Sequence, residues 1–199
     1  MEFDDTPERL KPLKHIGKAR GYVLYDEIDA ILPPTLEADA HLDFVLTELV
    51  MNGIEILEEP GARYDIDLTE AGKVFAEKEL QNFIEELDNS SAIRMYLRGV
   101  TTVPHLTRED EIELAKRISH GRNDAEAAMK QLIEANLYLV VAIARRRGGP
   151  RYSLLELIQE GNIGLMKAAE KYKHTREYRF STYAIWWIRR SIERSKLGN

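Results

Sequence analysis

Three helical stretches follow one another between Asp124 and Lys196, and they predict a nearly all-helical domain for the second half of the chain. The first, "DAEAAMKQLIEANLYLVVAIARR", becomes strongly apolar toward its end and is broken by Gly148-Gly149-Pro150. The second, "SLLELIQEGNIGLMKAAEKY", has Ser153 at a capping position. The basic loop "KHTREY" leads to the third, "FSTYAIWWIRRSIERSK", with Ser181 or Thr182 as its expected cap. Ahead of them "TREDEIELAKRI" opens with Thr107 as N-cap and Asp110 three residues on, a capping-box pattern.

The first sixty residues predict a small helical domain. "ERLKPLKHIGKAR" is amphipathic and stops at Gly21, and "YDEIDAIL" is ended by Pro33-Pro34. "ADAHLDFVLTELVMNG" places Leu42, Val45, Leu46, Leu49 and Val50 at helical spacing, with Gly53 at the C-cap. "IEIL" alternates like a short strand, and "EEPGARYDID" reads as a linker. The expected organisation is an all-α fold: residues 1–60 a small acidic helical domain, 61–88 a linker and connector helix, 89–199 a larger helical domain.

Charge divides the chain in the same way. Residues 1–90 carry 22 acidic and 8 basic side chains, a net −14; residues 91–199 carry 12 and 20, a net +8. A basic half suits a polyanionic partner, and an acidic half suits a different task. There is no cysteine, which excludes disulfides, zinc fingers and thiol catalysis. The five histidines lack metal-binding spacing, so neither a metal nor another cofactor is expected. No apolar run approaches the roughly 20 residues that span a bilayer, and the acidic start resembles no export signal, so a cytoplasmic protein is expected. No phosphate-cradling loop or nucleophile motif suggests an enzyme.

The last helix holds the only two tryptophans of the chain among arginines. At ~100° per residue, Ile185, Ile188 and Ile192 form one stripe, and Tyr183, Trp186, Trp187, Arg190 and Arg194 form another opposite it. Two arrangements fit. The aromatic-basic stripe could be a surface that stacks on bases while its arginines hold phosphates. Alternatively, the tryptophans pack beneath the preceding loop with arginines covering their edges. In the helix before it, Leu154, Leu157, Ile158 and Leu165 form a core stripe while Glu156, Gln159 and Glu160 gather elsewhere. Gly161 and Gly164, which each cost roughly 1 kcal/mol in a helix, predict close approach by a neighbouring helix.

The segments "SSAIRMYLRGVTTVPHLTREDEIELAKRI", "IEANLYLVVAIARR", "LLELIQEGNIGLMKAAEKY" and "RFSTYAIWWIRRSI" occur in an order and spacing that resemble the promoter-melting half of a bacterial primary sigma factor. The N-terminal segment "LKHIGKARGYVLYDEIDAILPP", followed by "LDFVLTELVMNGIEILEE", resembles the small acidic domain of the same family. The resemblance implies a transcription initiation factor that binds RNA polymerase core and opens the −10 promoter element, the catalysis belonging to polymerase. Glu156, Gln159, Glu160 and Asn162 would dock on the clamp coiled coil of the largest polymerase subunit. Tyr183 would stack on a flipped adenine of the nontemplate strand, with Trp186 and Trp187 filling the space that the base leaves. Arg176, Tyr178, Arg179, Phe180, Thr182, Arg190 and Arg194 would line that region. Asn136, Leu139 and Ser181 would surround a second flipped base, and Leu97 and Arg98 would meet the strand just below it. The acidic domain would mimic DNA and restrain DNA binding by the free chain, and the protein would be nucleoid-associated through polymerase.

Three positions depart from the family pattern. Arg190 and Glu193 stand where Gln and Thr are usual at the upstream edge of the element, and Lys173 stands where an acid is usual. The chain ends at "SKLGN", without the domains that read the −35 element. It is therefore expected to be a fragment of a longer chain or a naturally short relative. The alternative function is a sigma-like regulator that occupies the polymerase clamp as a competitor, or needs a protein partner to open promoters.

Overall fold

The computed structural model describes residues 6–32, 38–57, 80–85, 92–121, 124–149, 151–175 and 178–197. It is all-α apart from one two-stranded ribbon. Two compact units make up the chain: Met1–Asp65 with Arg176–Tyr178, and Ile66–Thr175 with Arg179–Asn199. Most of the expected linker and connector, 61–79 and 86–88, lies outside the described residues, as do Pro33, Pro34 and Arg176.

In the first unit, α1 (Thr6–Arg20) ends at Gly21, whose φ of 83° is a left-handed conformation that glycine adopts without strain. The chain turns there into β1 (Tyr22–Leu24), then α2 (Tyr25–Ile31). α3 (Ala38–Met51) is closed by Gly53 at φ 68°, and β2 (Glu55–Leu57) follows. β1, which periodicity does not announce, pairs in parallel with β2, setting Val23 opposite Ile56. Leu10, Leu13, Val23, Ile28, Leu42, Val45, Leu46 and Leu49 form the core of this unit. Val50, expected with them, is half-buried. Lys14 of α1 donates to Glu48 of α3 at 2.6 Å. Glu27 takes both Arg20 Nη2 at 2.7 Å and the Leu24 backbone N–H at 2.8 Å, tying the start of α2 to the end of α1.

The second unit contains a helical stretch at 80–85 (α4), α5 (Ala92–Thr101), α6 (Arg108–Ser119), α7 (Ala125–Glu134), α8 (Leu137–Arg147), α9 (Leu154–Lys171) and α10 (Phe180–Leu197). α10 packs most extensively on α9, and α9 also packs on α8. The capping box of α6 forms as expected: Thr107 Oγ1 accepts from Asp110 N at 3.2 Å, and Asp110 Oδ2 accepts from Thr107 N at 2.9 Å. The Thr107 hydroxyl also donates to Asp110 Oδ2 at 2.7 Å, and this bond, with the one from Thr107 N, holds the Asp110 carboxyl below its ordinary range.

Two expectations are corrected. The single long helix over "DAEAAMKQLIEANLYLVVAIARR" is instead α7 and α8, bent by 43° at Ala135-Asn136. Asn136 is buried, and its Nδ2 donates to the Leu132 carbonyl at 2.8 Å. The side chain thus competes for the backbone acceptor, which is how asparagine interrupts a helix. The second correction concerns the cap of α10. Ser181 and Thr182 lie inside the helix, which starts at Phe180, and the Phe180 N–H is taken by Glu111 of α6 at 3.2 Å.

The glycines of α9 do what their positions predict. A Cβ on Gly164 would stand 2.5 Å from the Trp187 carbonyl oxygen, and one on Gly161 would stand 2.7 Å from Val140 Cγ1. The notch lets α10 settle directly onto α9.

Candidate nucleic-acid and polymerase interfaces

From Phe180 to Arg189 every residue of α10 is buried. The isoleucine stripe is core, as expected. The aromatic stripe opposite it is also covered: Tyr183 and Trp186 are 1% exposed and Trp187 is 7% exposed. In the free chain these rings take the packed one of the two arrangements that fit the sequence. Trp186 and Trp187 meet edge to face with centroids 5.2 Å apart, and Tyr183 lies 6.2 Å from Trp187. Tyr172, from the loop before the helix, stands 5.3 Å from Phe180 and 6.1 Å from Tyr183. Three of these four contacts are T-shaped and the Tyr172–Tyr183 pair is tilted; such pairs add roughly 0.5–1.5 kcal/mol each beyond burial.

Cations close this cluster. Lys171 Nζ lies 5.1 Å from the Trp187 ring centroid, and Arg190 Cζ lies 4.8 Å from that of Trp186. Inside it, Trp187 Nε1 is a buried donor without a hydrogen-bond partner among the described residues, an arrangement that costs about 1–3 kcal/mol. Arg194 and Lys173 are exposed and Arg190 is half-buried, so the helix keeps a basic outer edge.

Arg179, expected among the DNA-facing cations, is paired with a buried acid in the free chain. Its Nε and Nη2 donate to Glu111 at 2.9 and 2.6 Å, and Nη2 reaches the Leu106 carbonyl at 3.4 Å. The hydrogen bond to Glu111 raises the Arg179 pKa above its ordinary value, against the opposing effect of burial. Glu111 is only 3% exposed. One carboxylate thus holds Arg179 and the first N–H of α10 together, a role that the sequence does not announce because the partners are 68 residues apart.

Beside that ion pair is a small recess lined by His105, Glu111, Asn136, Tyr138, Arg179 and Ser181, among others. Asn136 and Ser181, expected to surround one base, meet there although 45 residues separate them in the chain. Leu139, expected with them, is fully buried and does not line the recess. The Tyr138 and His105 rings meet edge to face with centroids 4.7 Å apart. Leu97 is buried in α5 and Arg98 beside it is exposed. Thr182 is buried in α10, and Tyr178, which belongs with the first unit, is buried as well.

α9 presents a different kind of surface. Glu156 and Gln159 are exposed, and Glu160 and Asn162 are half-buried. Glu156 Oε2 also accepts from the Ser153 N–H at 3.3 Å, fixing the start of the helix. Asn162 Nδ2 donates to the Tyr96 hydroxyl at 3.3 Å, bridging α9 to α5. Burial raises the Tyr96 pKa, with the Asn162 bond working against it. Three large apolar side chains share this surface: Leu155, Ile163 and Met166 are 43%, 40% and 46% exposed. At ~100° per residue they fall with Gln159 and Asn162 inside one arc of roughly 100°. Sequence reasoning passed over them, although their spacing away from the core stripe was visible. An exposed apolar strip edged by polar groups is the composition of a protein-binding surface.

At the C-terminal end of α10, Arg147 of α8 donates to Glu193 at 2.9 Å and Lys196 does so at 3.1 Å. Burial works to raise the Glu193 pKa, but these bonds outweigh it and hold the carboxyl below its ordinary range.

Family models match three successive stretches: "Sigma-70 factor, region 1.1" over residues 4–83, "Sigma-70 factor, region 1.2" over 91–124, and "Sigma-70 region 2" over 132–196. The RNA polymerase sigma factor SigA of a Bacillus species is 38% identical over 204 residues, covering 98% of this chain and 53% of that relative. The SigA of Listeria monocytogenes is 41% identical over 189 residues, covering 90% of this chain and 48% of its own length. That of Clostridium acetobutylicum is 37% identical, with 94% and 47% covered. The chain spans about half the length of the curated relatives it matches.

Proposed function

The chain belongs to the sigma-70 family, and from that premise we propose that it acts in transcription initiation, binding RNA polymerase core and melting the −10 promoter element. In this reading the exposed strip of α9, with Glu156, Gln159, Glu160 and Asn162, docks on the polymerase clamp. A flipped base of the nontemplate strand is received at Tyr183, Trp186 and Trp187. A second base enters the recess at Asn136 and Ser181. Arg98, Arg190, Arg194 and Lys171 collect phosphate, the sequence-independent part of the affinity. The cost of flipping, a few kcal/mol, is offset by stacking and pocket contacts.

The observation that carries this reading is the unpartnered Trp187 indole N–H inside a ring cluster closed by Lys171 and Arg190. A core built only for stability has no use for a buried donor left unpaired. A base brings acceptors and a π-face to the same place.

The burial of Tyr183 and Trp186 favours a second reading. The chain could occupy the clamp with its rings closed, as a competitor or until a protein partner opens them. Permanganate footprinting of thymines across a −10 region, with polymerase core and this chain, separates the two. Reactive thymines are expected. Unreactive thymines, with polymerase binding verified in the same sample, would establish occupancy without opening.

A further inference from the structure

Asn162 is the one polar side chain of the proposed docking set that is bonded to another helix among the described residues. Its Nδ2 donates to the Tyr96 hydroxyl of α5 at 3.3 Å, and the same hydroxyl stands 3.5 Å from Asn162 Oδ1, to which it can donate in turn. The two residues are 66 positions apart in the chain. At ~100° per residue, Tyr96 shares the packed side of α5 with Leu97 and Val100, which are 0% and 6% exposed. A phenylalanine would serve that packing equally well, so the use of the hydroxyl lies at Asn162.

The contact joins two groups of matched versatility. A hydroxyl both donates and accepts, and a carboxamide presents a donor and an acceptor side by side. Whichever way the Asn162 amide is turned, the Tyr96 hydroxyl can complete a bond to the atom that faces it. Burial raises the Tyr96 pKa, which keeps the group a hydroxyl and preserves both roles. Asn162 is half-buried and stands in one arc with Leu155, Gln159, Ile163 and Met166. In the free chain water reaches this side chain. A partner that covers the arc removes the water, and an amide atom then left without a hydrogen bond costs the complex its full desolvation.

We propose that Tyr96 is a positioning residue for polymerase docking: its hydroxyl holds the inward side of the Asn162 amide, so that the group keeps a partner there when α9 is covered. The proposal rests on the polymerase-docking part of the proposed function and adds α5 to it. The docking surface is then built by two helices. α9 supplies the groups that touch the partner, and α5 sets the orientation of one of them. The effect of the hydroxyl belongs to the complex, where water cannot stand in for it.

The test uses the full chain and RNA polymerase core, with binding read by fluorescence anisotropy of the labelled chain. Tyr96→Phe removes the hydroxyl and keeps the ring. It should weaken binding to core by about fivefold or more, the effect of one polar group left unpaired in an interface. The urea midpoint of the free chain should hold, because water replaces the hydroxyl there. In an Asn162→Ala background, Tyr96→Phe should have no further effect on binding. Unchanged affinity of Tyr96→Phe overturns the proposal. An equal loss in both backgrounds overturns it as well, since Tyr96 would then act elsewhere. So does a loss of affinity matched by a fall of the urea midpoint, which would assign the hydroxyl to folding alone. Ile163→Glu separates the two readings: if it weakens binding while Tyr96→Phe does not, docking on α9 stands and only the role of Tyr96 falls. If Ile163→Glu, Asn162→Ala and Tyr96→Phe all bind core as wild type does, the docking reading itself falls, and this proposal falls with it.

Discussion

Gly164 lies directly against the backbone of Trp187: a methyl group on Gly164 would sit 2.5 Å from the Trp187 carbonyl oxygen and 2.9 Å from Ile188 Cα. The obstacle is backbone, so it cannot rotate away. Alanine in place of glycine normally favours a helix by roughly 1 kcal/mol, but here α10 would have to move off α9, an overpacking cost of about 1–3 kcal/mol or more. Gly164→Ala is therefore expected to lower the unfolding free energy by about 2 kcal/mol in urea titration. Gly161→Ala meets side chains of Val140, Ile188 and Ile192 and should cost less. Equal effects at the two positions would contradict the backbone-contact argument.

The Glu111 carboxylate carries three bonds: two from Arg179 and one from the Phe180 N–H. Removing it strands a partly buried cation and a helix-terminal donor. Glu111→Ala is expected to destabilise the second unit by about 2–4 kcal/mol. Arg179→Ala alone should also be costly, and the double variant should cost less than the two single losses added together. A double-mutant cycle showing no coupling would remove the pair from the account of how α10 is anchored.

Much of this architecture is legible in the sequence, and the limits of that legibility are physical. Thr107 with Asp110, Gly21, Gly53 and the α9 glycines announce themselves because their effects are local or follow helical spacing. The bend at Asn136 is not legible, since apolar periodicity continues across it and only the contact to the Leu132 carbonyl breaks the helix. The cap on Phe180 is hidden for a related reason: it comes from α6. The wheel separates the aromatic and isoleucine stripes of α10 correctly. It cannot tell that both are covered, because Tyr172 and Lys171 close the aromatic side from the loop and the preceding helix.

The exposed apolar strip on α9 separates stability from binding. Ile163 and Met166 are 40% and 46% exposed, so charged substitutions there should change the unfolding free energy by less than about 0.5 kcal/mol. On a surface that docks polymerase, Ile163→Glu should weaken binding to core at least about tenfold, since desolvated apolar contacts dominate such interfaces. Binding is read by fluorescence anisotropy of labelled chain titrated with core. Unchanged affinity would move the docking surface away from this strip.

Acid should weaken the fold in a defined window. Glu193 and Glu27 are held below their ordinary pKa, with burial opposing and hydrogen bonds from cations and backbone prevailing; Asp110 is lowered by its bonds to Thr107. A depressed folded-state pKa stabilises the fold above the unfolded-state value, about 4.3 for Glu and 3.9 for Asp. That contribution is lost as pH falls through the lower folded value. Thermal midpoints should therefore be steady from neutral pH down to about 5, then fall steeply below about 4. Glu193→Gln should flatten part of that fall. An unchanged acid limb would mean that the Arg147–Glu193 contact contributes little in solution.

Trp186 and Trp187 are the only tryptophans, so their fluorescence reports on the ring cluster alone. In the free chain both are nearly inaccessible, at 1% and 7%, and acrylamide should quench them weakly. If a base enters between these rings, the cluster must open. Adding a −10 single strand to the polymerase-bound chain should then change both the quenching constant and the emission intensity, because stacking on a base replaces the edge-to-face contacts of Trp187 with Tyr183 and Trp186. Tyr183→Ala should raise acrylamide access before any DNA is added and should reduce strand binding. An emission spectrum and quenching constant that do not respond to the strand, while the strand remains bound, would place the base elsewhere and leave the rings as core.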